Sequence, residues 1–299
     1  MTVFDLDFQP RPRRRAGVWE GVLQHLWRDR LAAISLVVIL IYIVIALFCG
    51  LGLLGTDYDE PSIAPSECNL PPSWEHWAGT DWQGRDVLSR TLHGAKISLS
   101  VGLVVALIAI PLGALLGALA GYFGGLVDEL IMWFYSTVSS IPYILLIICL
   151  SVIVGKGLPG VYLSLGLTFW VGTCRVIRGE FLKHRERDYV AAARALGLGP
   201  FRIIFCHIVP NVSHLLLINF SLLFIGAIKS EVILSYLGLG VIGEPSWGVM
   251  INDSREQFLA GRWWELTAAT AAMFFLVLAF NIVADSLRDA LDPHVHLTS

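Results

Sequence analysis

The chain of 299 residues is 56% hydrophobic and only 15% charged, with a formal net charge of −3 and a mean hydropathy of +0.68. Soluble domains carry about 25% charged residues. The balance excludes an ordinary soluble enzyme or binding module and points to a polypeptide whose solvent is largely lipid.

The apolar residues are gathered into blocks, and a membrane-spanning helix needs about 20 of them in succession. In chain order the blocks cover 31–54, 97–121, 127–154, 158–174, 212–237 and 266–284, which predicts six transmembrane helices in an all-α membrane protein. The first block is too long for a signal peptide and has no small-residue cleavage site after it.

Residues 1–30 read as a tail. Arg11, Arg13, Arg14 and Arg15 surround Pro12, too charged and too broken to pack. From 18 to 30 the residues Trp19, Val22, Leu23, Leu26 and Trp27 form a helical stripe. That stripe suits either a helix lying on the membrane surface or a simple extension of the first span. The stretch 31–96 then joins the first span to an external loop rich in Pro61, Pro65, Pro71, Pro72, Trp74, Trp77 and Trp82. Asp81 and Asp86 in this loop lack the other acidic ligands of a calcium loop, so a turn leading into the second span is expected.

The core of the chain is predicted over 97–285. Its first span carries the ladder Gly113, Gly117 and Gly121, whose small faces let helices approach closely in lipid. Either a neighbour in the same bundle or a second subunit can fill it. The fifth block carries Asn219, Lys229 and Glu231, and ionisable groups at membrane depth face a bundle interior or a water-filled cavity. Lys229 and Glu231 are two apart and project to different faces. Two readings stand: these three residues line a translocation path or gate, or they sit at the interface and snorkel. Residues 286–299 form a second tail.

Orientation follows from Lys and Arg in the connections. Arg11, Arg13, Arg14, Arg15, Arg28 and Arg30 (six), then Arg175, Arg178, Lys183, Arg185, Arg187, Arg194 and Arg202 (seven), then Arg288, give fourteen on one side. Arg85, Arg90, Lys96, Lys156, Arg255 and Arg262 give six on the other, and Lys229 within the fifth block completes the 21. Both termini and the segment 188–211 are therefore expected in the cytoplasm, in a multi-pass membrane protein. Beside a span, the basic N-terminal stretch reads as an orientation signal and not as a nucleic-acid-binding arm.

Catalytic signatures are missing. No GxxxxGK[ST] phosphate loop, HExxH or GxSxG motif occurs, and Gly155-Lys156-Gly157 is a lone turn. Cys49, Cys68, Cys149, Cys174 and Cys206 show no ligand-pair spacing, so neither a disulfide nor a metal site is expected. The chain reads as a channel, carrier or transporter subunit with no cofactor of its own.

The segment 188–211 is polar and stands between spans. Tyr189 to Leu196 is rich in helix-forming alanine, Gly197 and Gly199 permit a left-handed exit, and Pro200 suits the first turn of a second short helix ending at Ile208-Val209-Pro210. Small side chains make a slim helix that seats in a groove.

The pattern Ala191-Ala192-Ala193-x3-Gly197, followed by Ile208-Val209-Pro210, resembles the EAA loop of ABC-importer permeases, with Ala191 where that signature often has Glu. Four further motifs and the C-terminus extend the likeness: Gly79-Thr80-Asp81-x2-Gly84-Arg85-Asp86-Val87-Leu88-Ser89-Arg90, Ala120-Gly121-Tyr122-Phe123-Gly124-Gly125, Leu234-Ser235-Tyr236-Leu237-Gly238-Leu239-Gly240, Pro245-Ser246-Trp247-Gly248, and Phe280-Asn281-x3-Asp285-x-Leu287-Arg288-Asp289-Ala290-Leu291-Asp292-Pro293. Together they resemble C-type permeases of the dipeptide, oligopeptide and nickel importers. Trp133 and Ser136 depart from the Arg and Asp that relatives often carry there.

The resemblance implies a type I importer fold and short peptides as cargo. It implies a homologous second permease, an external binding protein, and two cytoplasmic ATPases that hold ATP and Mg. It implies contact with an ATPase through Tyr189, Ala191, Ala192, Arg194, Ala195, Gly197 and Pro210. Relatives that carry nickel complexes, glutathione or antimicrobial peptides share these motifs. The rival from another class is an ATP-independent carrier, for which Glu231 is the one candidate carboxylate of a proton relay.

Overall fold

The computed structural model describes residues 26–56, 58–61 and 64–291. Over these residues there is no strand, only an isolated bridge between Thr80 and Asp86. The helices are α1 (Arg30–Gly50), α2 (Val87–Phe123), α3 (Gly125–Ser140), α4 (Tyr143–Val154), α5 (Leu158–Arg185), α6 (Asp188–Ala195), α7 (Pro200–Ile203), α8 (Val209–Tyr236), α9 (Trp247–Leu259) and α10 (Trp264–Leu291). Five helices are long and apolar enough to cross a bilayer, α7 and α8 counting as one, and the bent pair α3 and α4 together is long and apolar enough to count as one more. The stripe expected on the tail at 1–30 and the tail beyond 291 lie largely outside the described residues.

Three features differ from a plain six-helix pattern. The third apolar block is not one rod: α3 and α4 meet at 92°. Pro142 has no amide hydrogen and drives the residue before it out of helical conformation, and Ile141 is indeed extended, with φ −85° and ψ 130°. The second short helix expected before Pro210 does not end there. It starts at Pro200, passes through a π-helical turn over Ile204–Ile208 and runs straight on into α8. The connection 238–265 folds into α9. Helix α2, at 37 residues, extends about 55 Å at 1.5 Å per residue. That exceeds the hydrocarbon thickness of about 30 Å, so its ends project from the membrane.

Helices α2 and α5 make the most extensive contact in the molecule, and the glycine ladder is its cause. A Cβ on Gly117 would stand 2.6 Å from the Cys174 carbonyl oxygen, and one on Gly121 would stand 2.5 Å from the Phe181 Cβ. One on Gly113 would collide with the Trp170 carbonyl. Packing inside this chain's own bundle therefore fills the ladder. The backbone approach replaces the hydrophobic drive that lipid removes.

The end opposite α6 is tied together by buried polar contacts. Asp81 accepts hydrogen bonds from the amides of Gln83 and Arg85 at 2.8 and 2.9 Å and ion-pairs with the side chains of Arg85 and Arg90. Asp86 caps α2, accepting from the Ser89 amide at 2.7 Å. The expected turn into the second span is built on these two carboxylates. Arg90, 2% exposed, also meets Glu265 at 3.1 Å and Asp253 at 3.4 Å, linking the loop to α10 and α9. Trp264 Nε1 donates to the Thr80 carbonyl at 2.8 Å.

Helix α9 is pinned by Trp247, fully buried against Gly94 of α2 and edge-on to Tyr42 of α1. Its indole Nε1 donates to the Thr91 carbonyl at 2.9 Å. Trp247→Phe keeps a six-membered aromatic ring but removes the pyrrole part of the indole with its N–H donor. It should lower stability by about 1–3 kcal/mol, because the Thr91 oxygen is left with an unmet bond. Thermal denaturation of the purified protein in detergent measures the loss.

Candidate functional site

The polar segment forms a knob at one end of the bundle. Two residues separate the end of α5 from the start of α6, which has Asp188 in its first turn and Arg194 in its last, the signs that suit the helix dipole. It ends in a Schellman arrangement: the Gly197 amide donates to the Arg194 carbonyl at 2.9 Å and the Leu198 amide to the Ala193 carbonyl at 3.2 Å. Gly197 takes the positive φ of 76° that this cap requires.

Only one stripe of α6 is buried. Val190 and Ala193 enter an apolar cluster with Ala118 and Tyr122 of α2, Ile177 and Phe181 of α5, and Ile203, Ile204 and Ile208 beyond it. The knob is thus joined to three spans at once. Tyr189 is half-buried, its hydroxyl 2.8 Å from His184 Nδ1. Burial raises its phenol above the ordinary value, so it stays protonated at neutral pH.

The other sequence-predicted residues divide by location. Ala191, Ala192, Arg194, Ala195 and Gly197 are exposed on or next to α6. The Arg194 guanidinium lies over the Tyr122 ring at 5.4 Å, which fixes its stem while leaving the residue open. Pro210 is exposed too, but it lies in the first turn of α8, past the π-helical turn. Two residues absent from the sequence reading belong to the same surface: Leu196, 81% exposed, and Phe201, 61% exposed, whose ring meets that of Phe123. Leu196 was legible as an apolar residue off the Val190–Ala193 stripe. Phe201 was not, because its exposure depends on the turn at Gly199.

The three intramembrane polar residues of α8 are not brought together. Asn219 is half-buried and donates locally to the Leu215 carbonyl at 2.8 Å. Lys229 is exposed. Glu231 is 0% exposed and accepts from Ser235 Oγ at 2.7 Å. Ser235 Oγ in turn accepts from the Val241 amide at 3.2 Å. This chain of bonds holds the turn between α8 and α9.

Comparison with known proteins agrees with this architecture. Residues 99–297 match the family described as binding-protein-dependent transport system inner membrane component. Residues 17–72 match the N-terminal TM domain of oligopeptide transport permease C. The Dipeptide transport system permease protein DppC of Bacillus subtilis is 38% identical, over 90% of this chain and 85% of that protein. The Oligopeptide transport system permease protein OppC of the same organism is 33% identical over 96% and 93%, and that of Escherichia coli (strain K12) 35% over 92% and 91%. A chain of the MetNI methionine ABC transporter in an inward-facing conformation superposes with a TM-score of 0.53 at 17% identity, covering 69% of this chain and 97% of that one. That likeness establishes the type I importer permease fold. With a bundle of long apolar helices, an exposed alanine helix at one end and a family match across two thirds of its length, the chain belongs to the inner membrane components of binding-protein-dependent transport systems.

Proposed function

We propose that this chain is one of two permease subunits of an ATP-driven importer of short peptides. The observation that carries the reading is the α6 knob, a slim exposed helix of small side chains rigidly seated on α2, α5 and the start of α8. The names of the relatives, dipeptide and oligopeptide permeases, support peptides as the cargo. Nothing in the sequence resembles a phosphate loop, so the energy enters from another chain.

In this reading α6 and both termini face the cytoplasm, a placement supported by the excess of Lys and Arg at that end. Two ATPases hold the ATP and Mg, and α6 sits in a cleft of one of them. An external binding protein delivers the peptide to the opposite end, and a homologous second permease completes the path. Closure of the ATPases moves α6. Because Val190 and Ala193 are locked into the cluster shared with Phe181 and Ile208, the motion passes to the spans. A ligand shifts a two-state protein only by its differential contacts with the two states, and the exposed face of α6 supplies them.

The test is to purify the chain from its native membrane and reconstitute what accompanies it. Two ATPases and a second permease should co-purify, and peptide uptake should require ATP. An active single chain whose transport ignores ATP refutes the reading. Gly197→Val probes the knob itself. An L-residue with a branched side chain at a φ of 76° costs about 1–2 kcal/mol of local structure and loosens the cap. Peptide-stimulated ATP hydrolysis and uptake should fall together at least about fivefold, with the complex still assembled. Unchanged coupling would remove Gly197 from the mechanism.

A further inference from the structure

Helix α6 has only eight residues, and an isolated helix shorter than about 12–15 residues is marginal in water. Its shape and direction therefore come from what holds it. Glu186 and Arg187 link it to α5, and Arg187 is extended at φ −79° and ψ 149°. No side chain caps its first turn. The buried Val190 and Ala193 fasten it by apolar contact, which has no preferred direction. At its far end the Arg194 guanidinium over the Tyr122 ring is exposed, and a cation–ring contact in water is weak.

One side-chain contact is directional. The Tyr189 hydroxyl, in the first turn of α6, lies 2.8 Å from Nδ1 of His184, in the last turn of α5. The two rings also meet edge-on, with centres 6.0 Å apart at 68°. The phenol keeps its proton at neutral pH, so it donates and Nδ1 accepts. The bond reaches across the Glu186–Arg187 link. Beneath it, the Arg187 amide donates to the His184 carbonyl at 3.1 Å. Both side chains are half-buried, and the Tyr189 ring packs against the apolar cluster under α6.

The resemblance groups Tyr189 with Ala191, Ala192 and Ala195 as contacts to an ATPase. In the fold the three alanines are exposed, whereas the Tyr189 hydroxyl turns back onto its own chain.

We infer that Tyr189 is a positioning residue and not an ATPase contact: its bond to His184 fixes the angle between α5 and α6, so that a push on the exposed face of α6 moves α5. The inference rests on the importer reading above. A lever transmits only the part of a displacement that its joint does not absorb. Without the bond the knob swings about Glu186 and Arg187, and some closures of the ATPases end in a bent link with the spans unmoved. Hydrolysis then continues while uptake falls.

The test uses the complete transporter reconstituted with its binding protein, and measures peptide taken up per ATP hydrolysed. Tyr189→Phe keeps the ring and its packing and removes the donor. It should lower that ratio about fivefold, with the ATPases bound as tightly as in wild type. His184→Leu, on the other helix, should do the same. The double variant should be no worse than either single one, because all three lose the same bond. His184→Asn should restore most of the ratio, since the Oδ1 of asparagine stands on the same γ-carbon as Nδ1 and accepts in its place. Leucine is the better helix former, so an effect on helix stability alone would rank these two variants the other way. An unchanged ratio in Tyr189→Phe, additive losses in the double variant, or weaker ATPase binding in Tyr189→Phe overturns the inference. So does a ratio in His184→Asn no higher than in His184→Leu.

A second measurement does not depend on ATP. Amide hydrogen exchange on the permease as purified, with the subunits that accompany it, reads how firmly α6 is held. The amides of residues 191–195 should exchange about fivefold faster in Tyr189→Phe and His184→Leu, and close to the wild-type rate in His184→Asn. Equal exchange in wild type and Tyr189→Phe overturns the inference. Uptake by the wild type that ignores ATP overturns the importer reading instead, and the exchange rates still decide whether this bond holds the helix.

Discussion

Gly117→Val should prevent the bundle from closing. The Cβ of any residue at this position would lie 2.6 Å from the Cys174 carbonyl oxygen and 3.0 Å from the Arg178 amide nitrogen. Both neighbours are backbone, so neither yields by changing a rotamer. Helices α2 and α5 must separate, and Gly113 and Gly121 lose their contacts along with Gly117, since all three face the same partner helix. Inserting one methylene into a well-packed interface costs about 1–3 kcal/mol. Alanine should therefore lower the thermal midpoint of the purified permease, and valine should leave little assembled protein. Gly50→Ala, at a site with nothing within 4 Å, is the control and should behave as wild type. Protease resistance in native membranes gives a second reading without detergent. A stable Gly117→Val bundle would show that the ladder does not set the α2–α5 distance.

Arg90→Met should be nearly as damaging, for an electrostatic reason. Arg90 is 2% exposed and meets Asp81 (side chain 0% exposed), Glu265 (3%) and Asp253 (24%). Methionine fills similar space but leaves the buried Glu265 without its arginine, and Asp81 with Arg85 alone. Breaking a buried pair by removing one partner costs about 3–5 kcal/mol. The loop carrying Asp81 and the first turn of α10 should come apart, with transport lost because the end opposite α6 is no longer held. The triple variant Arg90→Met, Asp81→Asn, Glu265→Gln removes the uncompensated charge and should regain most of the stability, since apolar or neutral replacements of a buried cluster are often well tolerated. Thermal midpoints of the single and triple variants decide it. If Arg90→Met alone matched wild type, water would have to reach this cluster freely.

Much of the molecule was legible from the order of residue types. The apolar blocks located the five long apolar helices and the bent pair α3 and α4, because lipid demands that each spanning segment satisfy its own backbone and present apolar side chains. The alanine-rich segment stood out because its polarity does not fit between spans. Its exit was readable at Gly197, where only a residue without a Cβ takes that turn easily. The partition of α6 into a buried Val190–Ala193 stripe and an exposed Ala191–Ala192–Ala195 face follows from helical spacing.

Other features were hidden for a common reason: they depend on which distant residues meet. Asp128 and Arg178 are fifty positions apart, and nothing local in either says that they pair. Tyr189 looked like one more contact on the alanine helix. Only the fold showed its hydroxyl turned back onto His184. Glu231 and Lys229 read alike as intramembrane charges, yet packing of α9 and Ser235 encloses the first and leaves the second exposed.

The sequence by itself determined the solvent, the places of the long apolar helices and the presence of a short alanine-rich helix between two of them, because each rests on local composition and period. Tertiary structure alone decided that the alanine helix is fastened to three spans, that the glycine ladder serves the chain's own bundle, and which buried charges are paired. Those outcomes depend on close approach between segments far apart in the chain, where a few tenths of an ångström decide whether backbone, ring or carboxylate fits.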